Sequence, residues 1–149
     1  MKILVANDDG IRAEGIYQLV KALSSVGEIY VCAPDVQRSA SGHSISIGVP
    51  LKIEEVEFEH AKLALEISGT PADCVKLGLK VLKNKGIDIL INTPTKANDS
   101  LRDGFRIRRT AIEYGVEVLT SLDTLNVIIR ILEQKTHEKN VDVIDISKI

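Results

Sequence analysis

Short apolar runs alternate with segments of helical periodicity along this chain. Ile3-Leu4-Val5-Ala6 is a continuous apolar run, typical of a strand buried on both faces of a parallel sheet, and the turn residues Asn7-Asp8-Asp9-Gly10 end it. Apolar residues then recur at helical spacing and predict a helix through about Ser25: Ile16, Leu19, Val20 and Leu23. The apolar run Glu28 to Ala33, closed by Pro34-Asp35, predicts a second strand. A strand, a helix and a strand in this order imply a right-handed crossover in a parallel sheet.

The middle of the chain predicts a hairpin and a capped helix. The small, polar residues 37–42 predict a loop, and the stretches 44–47 and 51–56 predict a hairpin arm off the main sheet, to which residues 63–67 can add a strand. Thr70-Pro71-Ala72-Asp73 has the features of a helix start, with a capping hydroxyl, a proline at the first helical position and a returning carboxylate. We expect this helix to run to about Asn84.

The last third of the chain continues the alternation of strands and helices. A glycine at 115 is expected to end the first helix, Ser121 can cap the second, and one face of the second holds Leu125, Ile128, Ile129 and Leu132. The predicted elements are a strand Ile87 to Ile91, a loop Thr93 to Leu101, a helix from about Gly104 to Tyr114, a strand Val116 to Leu119, the helix after Ser121, and an exposed edge strand Val141 to Ile146.

The predicted fold class is therefore α/β, with one domain over residues 1–149. We expect a three-layer, doubly wound architecture, Rossmann-like or flavodoxin-like, with a mostly parallel sheet and a β-hairpin excursion around residues 44–67. The hairpin could be an exposed edge that pairs with another chain, so both a monomer and a dimer are open.

Composition narrows the class of protein further. Apolar residues make up 44% and charged residues 27% of the 149 residues, and the net charge is −2 without a basic stripe, which argues against nucleic-acid binding. The first apolar run is too short for a signal peptide or a membrane span, so we expect a cytoplasmic protein with no membrane partner. Cys32 and Cys74 lack metal-binding spacing and are predicted to be reduced core residues.

Asp8 and Asp9 are the first candidates for chemistry. They follow the first predicted strand, and ligands of open α/β sheets bind beyond the carboxyl ends of the strands. Two adjacent carboxylates in a tight turn repel each other, and a hard divalent cation relieves that repulsion. The alternative is a turn in which one Asp caps the following helix, and the two readings carry equal weight on these residues alone.

Three segments in order resemble the SurE family, the stationary-phase survival proteins. They are Asn7-Asp8-Asp9-Gly10-Ile11, then Ala33-Pro34-Asp35 with Arg38-Ser39-Ala40-Ser41-Gly42-His43-Ser44-Ile45, and Gly69-Thr70-Pro71-Ala72-Asp73-Cys74-Val75-Lys76. The family implies a divalent-metal-dependent phosphomonoesterase acting on nucleoside monophosphates. By this resemblance Asp8, Asp9 and Ser39 are metal ligands, for which Mg²⁺ or Mn²⁺ fits oxygen ligation. Ser41, Gly42, His43 and Ser44 would lie near the phosphate, although His43 could equally bond a neighbouring carbonyl.

The resemblance to SurE changes after about residue 90. Thr95 stands where the SurE pattern has a metal-binding Asn, and the segments Ile89 to Thr95, Arg102 to Gly115 and Leu119 to Thr124 resemble the methylglyoxal-synthase-like regulatory domain of the carbamoyl-phosphate synthetase large subunit. By that second resemblance Asn92, Thr93 and Thr95 belong to a phosphate site for a nucleotide effector. The sequence thus predicts a SurE-like half, residues 1–90, joined to a methylglyoxal-synthase-like half, residues 91–149.

The predicted joining of these two halves leaves three possible functions. The preferred expectation is an engineered fold chimera without efficient catalysis, which retains part of a SurE metal and phosphate site, because loss of one supporting group commonly costs tenfold or more. The second is a weak metal-dependent 5′-nucleotidase that hydrolyses nucleoside monophosphates. The third is a non-catalytic domain that binds a nucleotide or phosphate through Asn92 and the loop Ser41 to Ser44.

Overall fold

The structure is a computed structural model that describes residues 1–37, 50–93 and 100–137, with the side chains of residues 93, 100–105 and 135–137 excepted. The strands are β1 (Lys2–Asn7), β2 (Glu28–Pro34), β3 (Ile53–Val56), β4 (Leu63–Ile67), β5 (Ile89–Thr93) and β6 (Glu117–Leu119). The α-helices are α1 (Glu14–Leu23), α2 (Pro71–Val81), α3 (Ser100–Glu113) and α4 (Leu122–His137), and a 3₁₀ turn follows α2 at Lys83–Lys85.

One sheet of six strands forms the centre of the described molecule, in the order β3-β4-β2-β1-β5-β6. Every pair of neighbours is parallel except β3 and β4, which are antiparallel. β1 lies between β2 and β5, which explains why its side chains from Ile3 to Asn7 are all buried and why its sequence does not alternate. The carboxyl ends of β1, β2, β4 and β5 therefore meet at one edge of the sheet.

Helices cover both faces of this sheet. On one face α1 and α4 pack over a cluster that includes Ile3, Val5, Ile16 and Leu125. On the other face α2 and α3 pack over a cluster that includes Leu4 and other residues, among them Ala6, Val75, Leu79, Ile107 and Ala111. Adjacent residues of β1 thus point into different clusters, as the pleat of a strand requires. The predicted three-layer, mostly parallel α/β fold is confirmed.

Helix α2 begins with the predicted capping box. The Thr70 hydroxyl accepts a hydrogen bond from the Asp73 backbone N–H at 3.2 Å, and Asp73 Oδ2 accepts from the Thr70 N–H at 3.0 Å. Pro71 occupies the first turn, where its missing N–H leaves nothing unpaired. The helix ends at Val81 rather than near Asn84, because the chain tightens there into the 3₁₀ turn.

The two cysteines belong to the core, as the sequence predicts. Cys32 on β2 and Cys74 on α2 are both fully buried and form no disulfide, and the Cys32 thiol donates to the Cys74 carbonyl oxygen at 2.9 Å. Burial raises the pKa of the Cys32 thiol to about 12. Gly78 lets the helix approach this strand, because a Cβ there would lie 3.0 Å from Cys32 Sγ.

The predicted hairpin excursion needs one correction. β3 and β4 form the antiparallel pair, but β4 also pairs with β2 from Tyr30–Leu63 to Pro34–Ile67, so these strands extend the main sheet instead of leaving it. The first predicted arm of the hairpin, residues 44–47, lies outside the described residues, as does the predicted edge strand Val141 to Ile146.

Predicted boundaries in the second half also shift. β5 spans Ile89–Thr93 rather than Ile87 to Ile91, because its pairing with β1 runs from Ile3–Ile89 to Asn7–Thr93. Helix α3 starts at Ser100, four residues before the predicted Gly104. Its end agrees with prediction, since Gly115 has a φ of 68° and follows the helix in the left-handed conformation.

Candidate functional site at the carboxyl edge of the sheet

The turn between β1 and α1 is held by several hydrogen bonds. The Asn7 side-chain amide Nδ2 and the Ala13 N–H both donate to the Gly10 carbonyl oxygen, at 3.0 and 3.1 Å. Gly10 has a φ of 99°, and a Cβ at this position would approach the Val36 carbonyl carbon to 3.2 Å. The Ile11 N–H donates to the Pro34 carbonyl at 2.8 Å, which ties the turn to the end of β2. Because residue 10 has a positive φ and a side chain there would crowd Val36, a glycine is required where the turn reverses.

Asp8 and Asp9 lie in this turn, at the carboxyl end of the central strand. Both residues are half-buried, and Asp9 Oδ1 accepts a hydrogen bond from the Gln37 side chain at 3.4 Å. The structure therefore places the predicted carboxylate pair at the sheet edge where ligands of parallel α/β folds bind.

Two buried acceptors at this turn lack a donor. The Oδ1 atoms of Asn7 and Asp8 are enclosed by protein without any hydrogen-bond partner. A buried oxygen that lacks a donor is unfavourable, and a hard cation that takes oxygen ligands would satisfy it. The residues of this turn therefore fit Mg²⁺ or Mn²⁺, which prefer carboxylate and carbonyl ligands.

Carboxylates alone do not complete a metal shell in the described part of the chain. Within residues 1–37, 50–93 and 100–137, no three His, Cys, Asp or Glu side chains gather as a metal site. A cation at Asp8 and Asp9 would thus need neutral oxygens as further ligands. The hydroxyl of Ser39, the third predicted ligand, lies outside the described residues, so its contribution stays a prediction.

β5 places two more predicted residues beside the turn. Its register sets Asn92 opposite Ala6 and Thr93 opposite Asn7, so the end of β5 lies directly next to the end of β1. Asn92 is buried, with 5% of its surface exposed. The other predicted phosphate-site residues lie outside the described residues: Ser41, Gly42, His43, Ser44 and Thr95. Of Thr93 only the backbone position is described.

An ion pair beside the turn was missed by the sequence analysis. The two terminal guanidinium nitrogens of Arg12 donate to the Glu66 carboxylate, at 2.6 and 2.8 Å, although the Glu66 side chain is only 11% exposed. Glu66 holds the pKa of Arg12 above its ordinary value, through this hydrogen bond first and its charge second. The available signal was Glu66 itself, a charged residue inside the apolar run Leu63–Ile67. A charge in a buried strand needs a partner from elsewhere in the chain.

Thr70 and Asp73 also lie near this edge, and their atoms are engaged in capping. Besides the two backbone bonds of the capping box, the Thr70 hydroxyl donates to Asp73 Oδ2 at 2.8 Å. These contacts explain both residues as local structure.

None of the described helices is long and apolar enough to cross a membrane.

Comparison with known proteins finds a matching family model and several similar proteins. The family model described as "Survival protein SurE" matches residues 3–100. The 5′-nucleotidase SurE of Alkaliphilus metalliredigens is 44% identical over 110 residues, which is 70% of this chain and 43% of that protein. The 5′-nucleotidase SurE of Desulforamulus reducens is 50% identical over 95 residues, which is 62% of this chain and 37% of that protein.

Among solved structures, the SurE protein of Aquifex aeolicus matches this fold with a TM-score of 0.67 and 26% identity. The match covers 93% of this chain and 61% of that one. The chain thus spans less than half the length of the two nucleotidases above.

The comparisons support the predicted SurE resemblance but not the whole of the prediction. They give no support to a composite with a methylglyoxal-synthase-like half, or to a chimera without catalysis, and the resemblance of residues 91–149 to carbamoyl-phosphate synthetase stays a prediction. Because the family model covers residues 3–100 of the 149, including the Asp8–Asp9 turn and the capped helix α2, this chain belongs to the survival protein SurE family.

Proposed function

We propose that this chain binds a divalent cation at the β1–α1 turn and hydrolyses phosphate monoesters of nucleosides. The observation that supports this most strongly is the position of Asp8 and Asp9 at the carboxyl end of β1. One carboxylate oxygen of Asp8 is buried there without a hydrogen-bond donor. The similarity to proteins named 5′-nucleotidase SurE supports a nucleoside monophosphate as the substrate.

The residues of the turn have separate roles in this proposal. Asp8 and Asp9 hold the cation with their carboxylates, and Ser39 adds a neutral oxygen. When Mg²⁺ or Mn²⁺ is bound there, it supplies Lewis-acid polarisation of the phosphate ester. The hydrogen bonds of Gly10 and Ile11 fix the turn before any ligand arrives, so less ordering is needed on binding.

We assign the phosphate to the predicted donors Ser41, Gly42, His43 and Ser44 together with the end of β5. Asn92 and Thr93 lie beside the turn because β5 ends next to β1 in the sheet, and Thr95 is added to them from the sequence alone. The substrate would then lie across the carboxyl ends of two neighbouring parallel strands, the usual position in this class of fold.

Phosphate release from nucleoside monophosphates in the presence of Mn²⁺ tests the proposal. We expect the chain to release phosphate, and Asp9→Asn to lower the rate by at least about tenfold, because a neutral amide is a weaker ligand for a hard cation. Asp123→Asn is the matched control, since Asp123 is an exposed carboxylate in the first turn of α4. Release by the unmodified chain that Asp9→Asn leaves unchanged would refute the assignment of Asp9.

The second-half resemblance favours a different result in the same assay. If residues 91–149 replace the SurE phosphate pocket, the chain will release no more phosphate than Asp9→Asn. A third function, binding of phosphate or nucleotide without catalysis, is separated by calorimetry in the presence of a chelator. Binding of inorganic phosphate that survives metal removal supports this third function, and no binding at millimolar phosphate excludes it.

A further inference from the structure

Asn7, the last residue of β1, has a buried side chain with one fixed orientation. The residue is 1% exposed, and its Nδ2 donates to the Gly10 carbonyl oxygen at 3.0 Å. Rotating the carboxamide by half a turn would place its oxygen against the Gly10 oxygen, which is unfavourable because both are acceptors. The Asn7 Oδ1 atom is therefore held as an acceptor on the side of the carboxamide that faces away from Gly10.

This oxygen has no donor within the protein. Asn7 Oδ1 and Asp8 Oδ1 are two buried acceptors without a partner, and they belong to consecutive residues. Each such atom destabilises the fold unless a donor or a cation satisfies it. An apolar residue at position 7 would have avoided this penalty, and the core around it accepts apolar side chains at Val5 and Ala6. The hydrogen bond from Nδ2 to Gly10 therefore explains the amide nitrogen of Asn7, and packing does not explain its buried oxygen.

We propose that the carboxamide oxygen of Asn7 is a third described oxygen of the cation site, beside the carboxylates of Asp8 and Asp9. A neutral oxygen suits this role, because a third adjacent carboxylate would repel the other two whenever the cation is absent. The same side chain then has two functions, since its Nδ2 closes the turn on Gly10 while its Oδ1 satisfies the cation. This inference rests on the proposed cation site and adds a residue to it.

Calorimetric titration with Mn²⁺ alone, without any substrate, tests the inference. We expect Asn7→Leu, a substitution of similar shape, to weaken Mn²⁺ binding by about tenfold or more, the effect typical of residues that support a metal site. Cys74→Ala is the matched control, because it disturbs a buried residue on the opposite face of the sheet and leaves the turn intact. Unchanged Mn²⁺ affinity in Asn7→Leu would overturn the inference and would assign Oδ1 to a buried water instead.

Asn7→Asp keeps the test valid if the leucine variant does not fold. The aspartate loses the donor to Gly10 and adds a negative charge, so we expect it to unfold at a lower temperature than the unmodified chain without metal. With Mn²⁺ it should gain more thermal stability than the unmodified chain, because an additional carboxylate binds the cation more strongly. An equal loss of stability with and without Mn²⁺ would overturn the inference.

Asp9→Asn separates this inference from the proposed function. Mn²⁺ binding that Asp9→Asn abolishes but Asn7→Leu preserves leaves the cation site in place and removes Asn7 from it. Absence of Mn²⁺ binding by the unmodified chain would overturn the proposed function and this inference together.

Discussion

The helices of the first and second halves of the chain differ in how much apolar surface they bury. Helix α2 buries seven of its residues, and α1 buries Ile16, Leu19, Val20 and Leu23. Over the described side chains of α4, Leu125 alone is buried, while Leu122, Val127 and Ile131 are 56%, 56% and 45% exposed. Burial of apolar surface is the main favourable term in folding, so the first half should dominate the stability of the molecule.

The largest expected difference in the free energy of unfolding comes from truncating a leucine to alanine in each half of the chain. Leu79→Ala in α2 removes a side chain that is 2% exposed and should lower the free energy of unfolding by about 2–5 kcal/mol. Leu122→Ala in α4 removes a side chain that is 56% exposed and should change it by about 0.5 kcal/mol or less. Urea unfolding of both variants measures the difference. Equal losses would mean that Leu122 is covered in solution.

Removing a helix cap should also destabilise the first half more than the second, by a smaller amount than the leucine truncations. Thr70→Ala removes a buried hydroxyl that bonds both the N–H and the carboxylate of Asp73, and we expect a loss of about 1–2 kcal/mol. Ser121→Ala removes an exposed hydroxyl that accepts from the Thr124 N–H at 3.3 Å, with an expected loss of about 0.5 kcal/mol. Urea unfolding again provides the comparison, and a larger loss for Ser121→Ala would contradict it.

Two arginine pairs sharpen the comparison further. Arg12→Ala leaves the nearly buried Glu66 carboxylate without its partner, next to Glu54 on the adjacent strand, so the melting temperature should fall measurably. Arg109→Ala breaks an exposed pair with Glu113 four residues along α3, and the melting temperature should hardly change. Thermal unfolding at neutral pH measures the melting temperatures of both variants. Recovery of the lost stability in the double variant Arg12→Ala, Glu66→Gln would show that the unpaired charge caused it.

The smallest effect expected is a dependence of stability on pH. Tyr30 donates its hydroxyl to Glu28, which lowers the pKa of Glu28 below its ordinary 4.5 and raises the pKa of Tyr30 from 10.0 to about 12. A lowered carboxyl pKa adds stability above pH 4.5 that is lost as pH falls through the lowered value. A raised phenol pKa adds stability below pH 10 that is lost as pH rises towards 12.

Tyr30→Phe should therefore be destabilised most between these two limits, and should approach the unmodified chain on either side of them. Tyr114→Phe in the second half is the matched control for the loss of a tyrosine hydroxyl. Melting temperatures between pH 3 and pH 11 test this expectation. A constant gap between Tyr30→Phe and the unmodified chain across that range would contradict the assigned cause.

Local features of the sequence predicted most of the fold. The uninterrupted apolar run of β1, the periodicity of α1 and the capping box of α2 each depend on residues close in the chain, and each is present in the structure. The bounds of β5 were wrong because β1 decides them, through the pairing from Ile3–Ile89 to Asn7–Thr93. The assignment of the hairpin as an arm off the sheet failed for the same reason, since the partner of β4 is β2.

The site could be predicted only in part, for similar physical reasons. The position of Asp8 and Asp9 followed from strand order alone, because a turn after a parallel strand lies at the ligand-binding edge. The Arg12–Glu66 pair joins residues 54 positions apart, and no local pattern specifies such a contact. The orientation of the Asn7 carboxamide was equally out of reach, because it depends on which oxygen its Nδ2 meets.

The central position of β1 has a consequence for how the chain is made. This strand leaves the ribosome before both of its neighbours in the sheet, β2 and β5, and β5 begins only at Ile89. Until then Ile3, Leu4 and Val5 belong to an edge with unpaired backbone groups, the kind of surface that promotes association between nascent chains. Pairing across so many residues also slows folding. Among the described strands, one that is buried on both faces of the finished sheet is thus the one that waits longest during synthesis for its second partner.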